Sequence, residues 1–326
     1  MRNGLNWSWS LFLLGVALAL PAVAVTPFDP SFGLALAVGV IPAAANRLAP
    51  QRSARWVAVL VGAVAAASMT FGALLTRTPL FAVTVIFVLG LLAPLWATRS
   101  RAGAVVVAFA LPLTGIGLSF TTVTSALAIG ALMVAGSVYA WIVSLAWPER
   151  TAAARTPAPA SSSRAALGYG ILLGCAGATA ATIGYLLHLE HVGWVTGACL
   201  LVMRPTRSLL FLRTIGRATS VSIGALAAAA VASVSPPNAI LAAAILLVLG
   251  AATATHDSRW YVTPGFTTFL ALSLILQGAG ESPAGRFNER FLETLLGVGI
   301  ALVFGWLVPA VFVRTPGRTS GTANAR

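Results

Sequence analysis

The sequence predicts an all-α polytopic membrane protein of about twelve transmembrane helices, arranged as two parallel six-helix repeats. Three observations carry this. Of 326 residues, 58% are hydrophobic and only 8% are charged, far less charge than a soluble domain carries. Apolar runs alternate with short polar joints along the chain. The two halves resemble each other at a near-constant offset.

The apolar runs read as 8–25, 31–46, 56–75, 79–97, 103–120, 123–147, 166–187, 191–203, 211–234, 237–254, 260–278 and 290–313. Most approach the roughly 20 residues that cross a hydrocarbon core as a helix. They are continuous and not alternating, which excludes a membrane barrel. The first run has signal-peptide features: Arg2, an apolar stretch, then Ala22-Val23-Ala24. An uncleaved first span fits better, because membrane sequence follows it. The chain divides into a first repeat (1–147), a Pro/Ser-rich cytoplasmic linker (148–165), a second repeat (166–313) and a disordered tail (314–326).

All 20 basic residues are Arg. With the heavy Ala content this suggests a GC-rich bacterial genome. The lack of Lys excludes a P-loop lysine, a Schiff base and a Lys general base. HExxH, GxSxG and GxGxxG are absent too, and no nucleophile–base set lies within the spans, so an enzyme is not expected. Cys175 and Cys199 read as small packing residues. No cofactor, resident metal or nucleic acid is expected.

With the N-terminus inside, 17 Arg fall on inner joints and 3, Arg77, Arg286 and Arg290, on outer ones. The positive-inside rule then puts both termini in the cytoplasm of a bacterial plasma-membrane protein.

The repeat rests on matched positions. FVLGLLAPLWATRSR (87–101) aligns with LVLGAATATHDSRWY (247–261), Arg99 over Arg259. RWVAVLVGAVAAAS (55–68) aligns with RATSVSIGALAAAA (217–230), Arg55 over Arg217 and Gly62 over Gly224. Six spans per half make the repeats parallel. Paired helix breaks are expected at Pro42 and Pro205 in the second span of each half, and at Pro112 and Pro264 in the fifth. Such pairs point to a transport site, because backbone freed by Pro must be satisfied by protein or a wet cavity.

The stretch HVGWVTGACLLVMRPTRSLLFLRTIGR (191–217) stops being apolar after about 20 Å of helix and holds Arg204, Arg207, Arg213 and Arg217 with no acid among them. A cytoplasmic loop accounts for their sign. Their spacing suggests more: Arg213 and Arg217 repel at i and i+4 unless an anion joins them. Lipid head groups and an anionic substrate are the candidates, and the Arg fork suits a carboxylate. Trp194 reads as a belt residue on location, or as a stacking face for a ring. GYGILLGCAGATAATIG (168–184) carries Gly170 and Gly174 as a close helix–helix contact.

No acid is expected in the middle of a span. HLEH (188–191) reads first as a solvated loop, then as a proton relay through Glu190 and His191, and only weakly as a metal site. Glu293 reads as a solvent-facing helix start paired with Arg290, and it joins Glu190 and His191 as a proton-coupling candidate. HDSRWY (256–261) reads as a capped turn.

Residues 191–229 resemble the fusaric acid resistance family, the integral membrane bound transporter domain. There a Trp-bearing short helix leads through a polar-Pro joint into an Arg-rich segment and a Gly/Ala helix. Trp194, Arg204, Pro205, Arg213, Arg217 and Gly224 hold those positions. The resemblance is clearest over 166–278. It implies export of aromatic carboxylic acids driven by the proton motive force, with Trp194, Arg204, Arg207, Arg213 and Arg217 binding the substrate. It departs from the family in lacking a large cytosolic domain and in having Ala218 where a Gly-Thr is common. A major-facilitator carrier is disfavoured, because NRLAPQRSAR (46–55) lacks the Asp and Gly of that signature loop. The alternative from another class is a non-transporting scaffold or envelope-biogenesis factor that holds anionic lipid or a partner through its cytoplasmic arginines. Membrane lipids and a small organic anion are the expected partners, and a homo-oligomer is left open.

Overall fold

A computed structural model describes residues 6–46, 48–149, 162–204, 207–256, 258, 262–277 and 282–313. Arg2, Arg47, Pro205, Asp257, Arg259, most of the 148–165 linker and the tail lie outside them, as does the side chain of Arg207.

The described residues form twelve helical stretches, one on each apolar run. They are α1 (Trp9–Val25), α2 (Pro30–Ala44), α3 (Val57–Leu75), α4 (Pro79–Ala97) and α5, built from Arg101–Val105, Val106–Ala110 and Leu111–Gly117. Next come α6 (Val123–Leu145), α7 (Ser163–Leu186), α8 (Val192–Val202), α9 (Arg207–Val234), α10 (Asn238–Ala254) and α11 (Thr263–Ile275). The last, α12, runs through Pro283–Leu302, Val303–Leu307 and Val308–Val313. Starts follow local chemistry. The carboxylate of Asp29 caps α2 by accepting from the amide of Phe32 at 2.9 Å, with Pro30 in the first turn. Thr122 caps α6 in the same way.

Six helices, α3, α4, α6, α7, α9 and α12, are long and apolar enough to cross a membrane. The other six are apolar but shorter, 10–17 residues. Large apolar side chains such as Phe28, Leu80, Ile223 and Val311 point outward from the bundle, as lipid-facing side chains do.

Small residues set the closest helix contacts. At Gly90 of α4, an added Cβ would lie 2.6 Å from the Cα of Gly174 on α7. Gly170 meets the Leu91 carbonyl one turn away, so the glycine stripe read from the sequence is a helix–helix contact. At Gly250 of α10 the added atom would meet the ring of Phe12 on α1. Helices of the two halves therefore interleave: α4 packs on α7, and α1 on α10.

The joints collect at two ends. At one, Ser8 donates to the Ala254 carbonyl, His256 reaches Ala45, Trp147 donates to Ser10, and the Arg52 amide donates to Glu149. At the other, Asn238 donates to Pro27 and Arg286 pairs with Glu190.

The prolines differ from one another. Pro42 lies inside α2, and Asn46 donates to its carbonyl at 2.6 Å. Pro112 follows a π-turn, Val106–Ala110, and α12 carries another, Val303–Leu307, just before Pro309. A π-turn reroutes the carbonyl that a Pro ring would strike. Pro264 sits in the first turn of α11. Its missing N–H costs nothing there, so it opens a helix and does not break one.

Candidate functional site

The short helix α8 is the axis of the site. Ten of its eleven residues are buried, and α5, α7 and α12 enclose it. Its length, about 16 Å at 1.5 Å per residue, is half a hydrocarbon core. Gly193 and Gly197 let α5 approach closely, and Gly297 of α12 meets the Val195 carbonyl.

At the Met203 end, the Arg204 guanidinium donates to the Met203 carbonyl at 2.5 Å. The Tyr169 hydroxyl of α7 donates to the same carbonyl at 3.1 Å. Met203 ends α8, so these donors satisfy a carbonyl the helix leaves over. Arg213 of α9 lies near enough to feel the charge of Arg204.

Arg217 is well inside α9 and only 6% exposed. Its Nε is buried with no hydrogen-bond partner. The charge that reaches it is another cation, Arg290 of α12. Arg290 lies over the Trp194 ring, 4.4 Å from the centroid, a cation–π contact. His191 stacks on the same indole with ring centroids 4.1 Å apart and planes 11° from parallel. Trp194 is thus a buried ring held between polar neighbours, and neither a belt residue nor an open stacking face.

At the His191 end, the Nδ1 of His191 lies 2.5 Å from a Glu289 carboxylate oxygen. Arg286 bridges Glu289 and Glu190, at 2.6 Å to each. The solvated-loop reading of HLEH therefore fails for His191, which is half-buried in a network, and holds for exposed His188. Glu190, His191 and Glu289 lie close enough together to share a cation. Arg286 already neutralises part of that charge, which opposes a resident metal.

Glu293 departs furthest from expectation. It is 2% exposed, and both carboxylate oxygens are buried without a hydrogen-bond partner. The expected solvent-facing pair with Arg290 does not form, because Arg290 is turned onto Trp194 instead. Glu293 contributes to the wall of an open cleft of about 560 Å³, with His188, Glu190, Arg286 and Glu289.

Arg204 and Arg213 thus stand at the Met203 end of α8, whereas Trp194 stands at the other end with His191 stacked on it, Arg290 over it, and Glu190 and Glu293 nearby; Arg217 senses Arg290. Pro42 and Pro264 lie outside this group, whereas the Pro112 carbonyl faces Gly197 of α8. Arg286, Glu289, Arg290 and Tyr169 were not read as site residues. For the three on α12 a signal existed: charges at 286, 289, 290 and 293 follow helical spacing into an apolar run. Tyr169 carries no such mark.

Apolar helices, six of crossing length, packed around a buried basic line define a multi-pass membrane protein. Residues 179–304 match the family described as fusaric acid resistance protein-like, so over this stretch the chain is similar to that family. The family is one of membrane transport proteins and suggests an efflux-type role. No curated protein and no solved structure matches the chain.

Proposed function

We propose that the protein is an inner-membrane secondary transporter that exports small organic anions, aromatic carboxylic acids foremost, at the expense of the proton motive force. One observation carries this: arginines stand at both ends of buried α8, and among the described residues Arg217 makes no ion pair. A buried guanidinium without an anion is costly. A passing carboxylate, bound by the planar fork, removes that cost. Arg204, Arg207 and Arg213 collect the anion at the Met203 end, Arg217 receives it, and Trp194 holds the indole-lined stretch beyond. The titratable groups nearest the exit are Glu190, His191 and Glu293.

Two parallel six-helix repeats and twelve crossings belong to the same reading. Adding six to each helix number carries the pair α1·α2 onto α7·α8, α2·α6 onto α8·α12 and α3·α5 onto α9·α11. The cross-pair α4·α7 goes onto α10·α1, and α5·α8 onto α11·α2. The second and fifth helices are short in both halves. The Arg-rich end, with both termini, faces the cytoplasm of a bacterial plasma membrane.

The test is uptake of a hydroxybenzoate into energised everted membrane vesicles. Accumulation by wild type, lost in Arg217→Ala that inserts normally, supports export. No accumulation across a panel of aromatic acids, with the protein inserted, ends this reading.

A further inference from the structure

Between α7 and α12 runs an open apolar groove of about 430 Å³. Gly168, Ile171, Leu172 and Cys175 of α7 form one wall; Phe304 and Val308 of α12, inside and just after the π-turn, belong to the other. No lining side chain is charged or carries an oxygen or nitrogen. At Gly168 the wall is bare, since an added Cβ would have nothing within 4 Å. Glycine weakens a helix, and here no neighbour comes close enough to require it, unlike at Gly170 and Gly174 on the face that meets α4.

Helical spacing puts a charge at one mouth of this groove. Arg164 precedes Gly168 by one turn, and positions 164, 168, 171, 172 and 175 share one face of α7. Arg164 is exposed and stands in the first turn of the helix, which holds no acid. The Ser162 hydroxyl accepts from the Ala165 amide at 3.3 Å, which leaves the amides of Ser163 and Arg164 without a partner in the helix. A cation at this positive end of the dipole is disfavoured until an anion joins it. From Arg164 to Cys175 the helix rises about 16 Å, half of a ~30 Å hydrocarbon core. The groove is therefore apolar for the depth of one leaflet and cationic at the interface.

We propose that this groove seats one acyl chain of an anionic phospholipid from the leaflet at the start of α7, with the lipid phosphate on Arg164 and the first-turn amides. A guanidinium binds phosphate oxygens through paired N–H groups. In phosphatidylcholine the head group's own cation competes with Arg164 for that phosphate; in phosphatidylglycerol nothing does. A second copy of the chain fits less well, because a two-fold axis along the membrane normal would set its Arg164 against this one. The lipid seat goes beyond the transport reading and does not depend on it.

The full chain in detergent is titrated with phosphatidylglycerol or phosphatidylcholine of the same acyl chains, and bound lipid is counted by native mass spectrometry. Wild type should bind the first phosphatidylglycerol more tightly than the first phosphatidylcholine. Arg164→Ala should weaken phosphatidylglycerol by about fivefold, the worth of one interfacial arginine, and bring the two lipids level. Gly168→Phe puts a ring into open space and should remove the tight site with Tm unchanged. Arg99→Ala, which removes another exposed arginine just past the end of α4, should bind as wild type does. Equal affinity of wild type for the two lipids, unaltered binding by folded Gly168→Phe, or an equal loss in Arg99→Ala each overturns the proposal; the last would mean that net charge alone attracts the lipid. A wild-type dimer that Gly168→Phe splits overturns it too, and gives this face to a second copy. Arg164→Ala against Arg99→Ala, both at exposed positions, decides the matter should Gly168→Phe fail to fold.

Discussion

Arg55 and Arg217 stand over one another when the two halves are aligned, and both are buried, at 2% and 6% exposure. Their surroundings differ. The Arg55 guanidinium donates to the carbonyls of Ala49, Ser144, Trp147 and Pro148, closing the end of α6 against the head of α3. Arg217 has a second cation for company and a buried Nε with nothing to bond. Around Arg55 all three guanidinium nitrogens donate to carbonyls of the fold. Around Arg217 the fold leaves the Nε donor over. Two positions matched by alignment therefore hold a clasp in one case and a buried guanidinium nitrogen without a partner in the other. The same contrast appears on the helices that pack against them: α6 presents Gly130 and Met133 to its neighbours, whereas α12 presents Arg290 and Glu293.

The largest expected effect follows from removing the clasp. Arg55→Ala strands several carbonyls at the end of α6. Charge-assisted bonds are worth roughly 1.5–3 kcal/mol each, so a loss of about 3–5 kcal/mol is expected. Thermal unfolding in detergent should show a large fall in Tm and a poor yield of folded protein. Arg217→Ala should leave Tm unchanged or raise it, because an unpartnered buried charge is removed, while anion flux falls by about 100-fold or more. If the two substitutions act alike on stability, the comparison fails.

Interleaving is tested next. Gly90→Leu and Gly250→Leu each force a side chain into a crossing between the halves, and overpacking costs about 1–3 kcal/mol. Similar falls in Tm would sharpen the two-repeat reading. A fall for Gly90→Leu alone would weaken it.

A smaller effect is expected at the indole. Trp194→Leu removes a stacked His and a cation–π contact, together worth about 1–2 kcal/mol. It should lower stability by at least that much, read as a fall in Tm, and anion affinity by about tenfold. The smallest belongs to Glu190→Gln. The Glu190 side chain is 65% exposed, so its pair with Arg286 contributes about 0–1 kcal/mol, and flux should change by less than about threefold.

The helices were legible because lipid demands long apolar runs, and each run became a helix within a few residues of its expected ends, except the last, which starts at Pro283 and not at 290 because its first two turns are polar and carry Arg286 and Glu289. The Arg204–Arg217 stretch stood out because uncompensated cations are rare in such a chain. Glu293 was misread for a physical reason. Position in a run says how far a residue lies from a helix end, but burial depends on which helices close around it, here α8 and α9. Trp194 was misread likewise: its partner, Arg290, lies almost a hundred residues away. Arg55 was matched to Arg217 by alignment, yet nothing in the sequence near it announced four carbonyl acceptors. The π-turns were hidden too, since Pro112 and Pro309 look like simple breaks until the backbone shows how their carbonyls are accommodated.

The turn at Val303–Leu307 has one more consequence for α12. It holds an extra residue relative to ordinary winding, so the faces of the helix on either side are out of phase by about 100°. Inside the turn, Gly305 meets Leu210 and Met203; before it, the helix carries Arg290 and Glu293 and packs on α8 and α9. Winding that turn as ordinary helix would rotate the segment bearing Arg290 and Glu293 by the same angle and move it by about 1.5 Å relative to Val308–Val313.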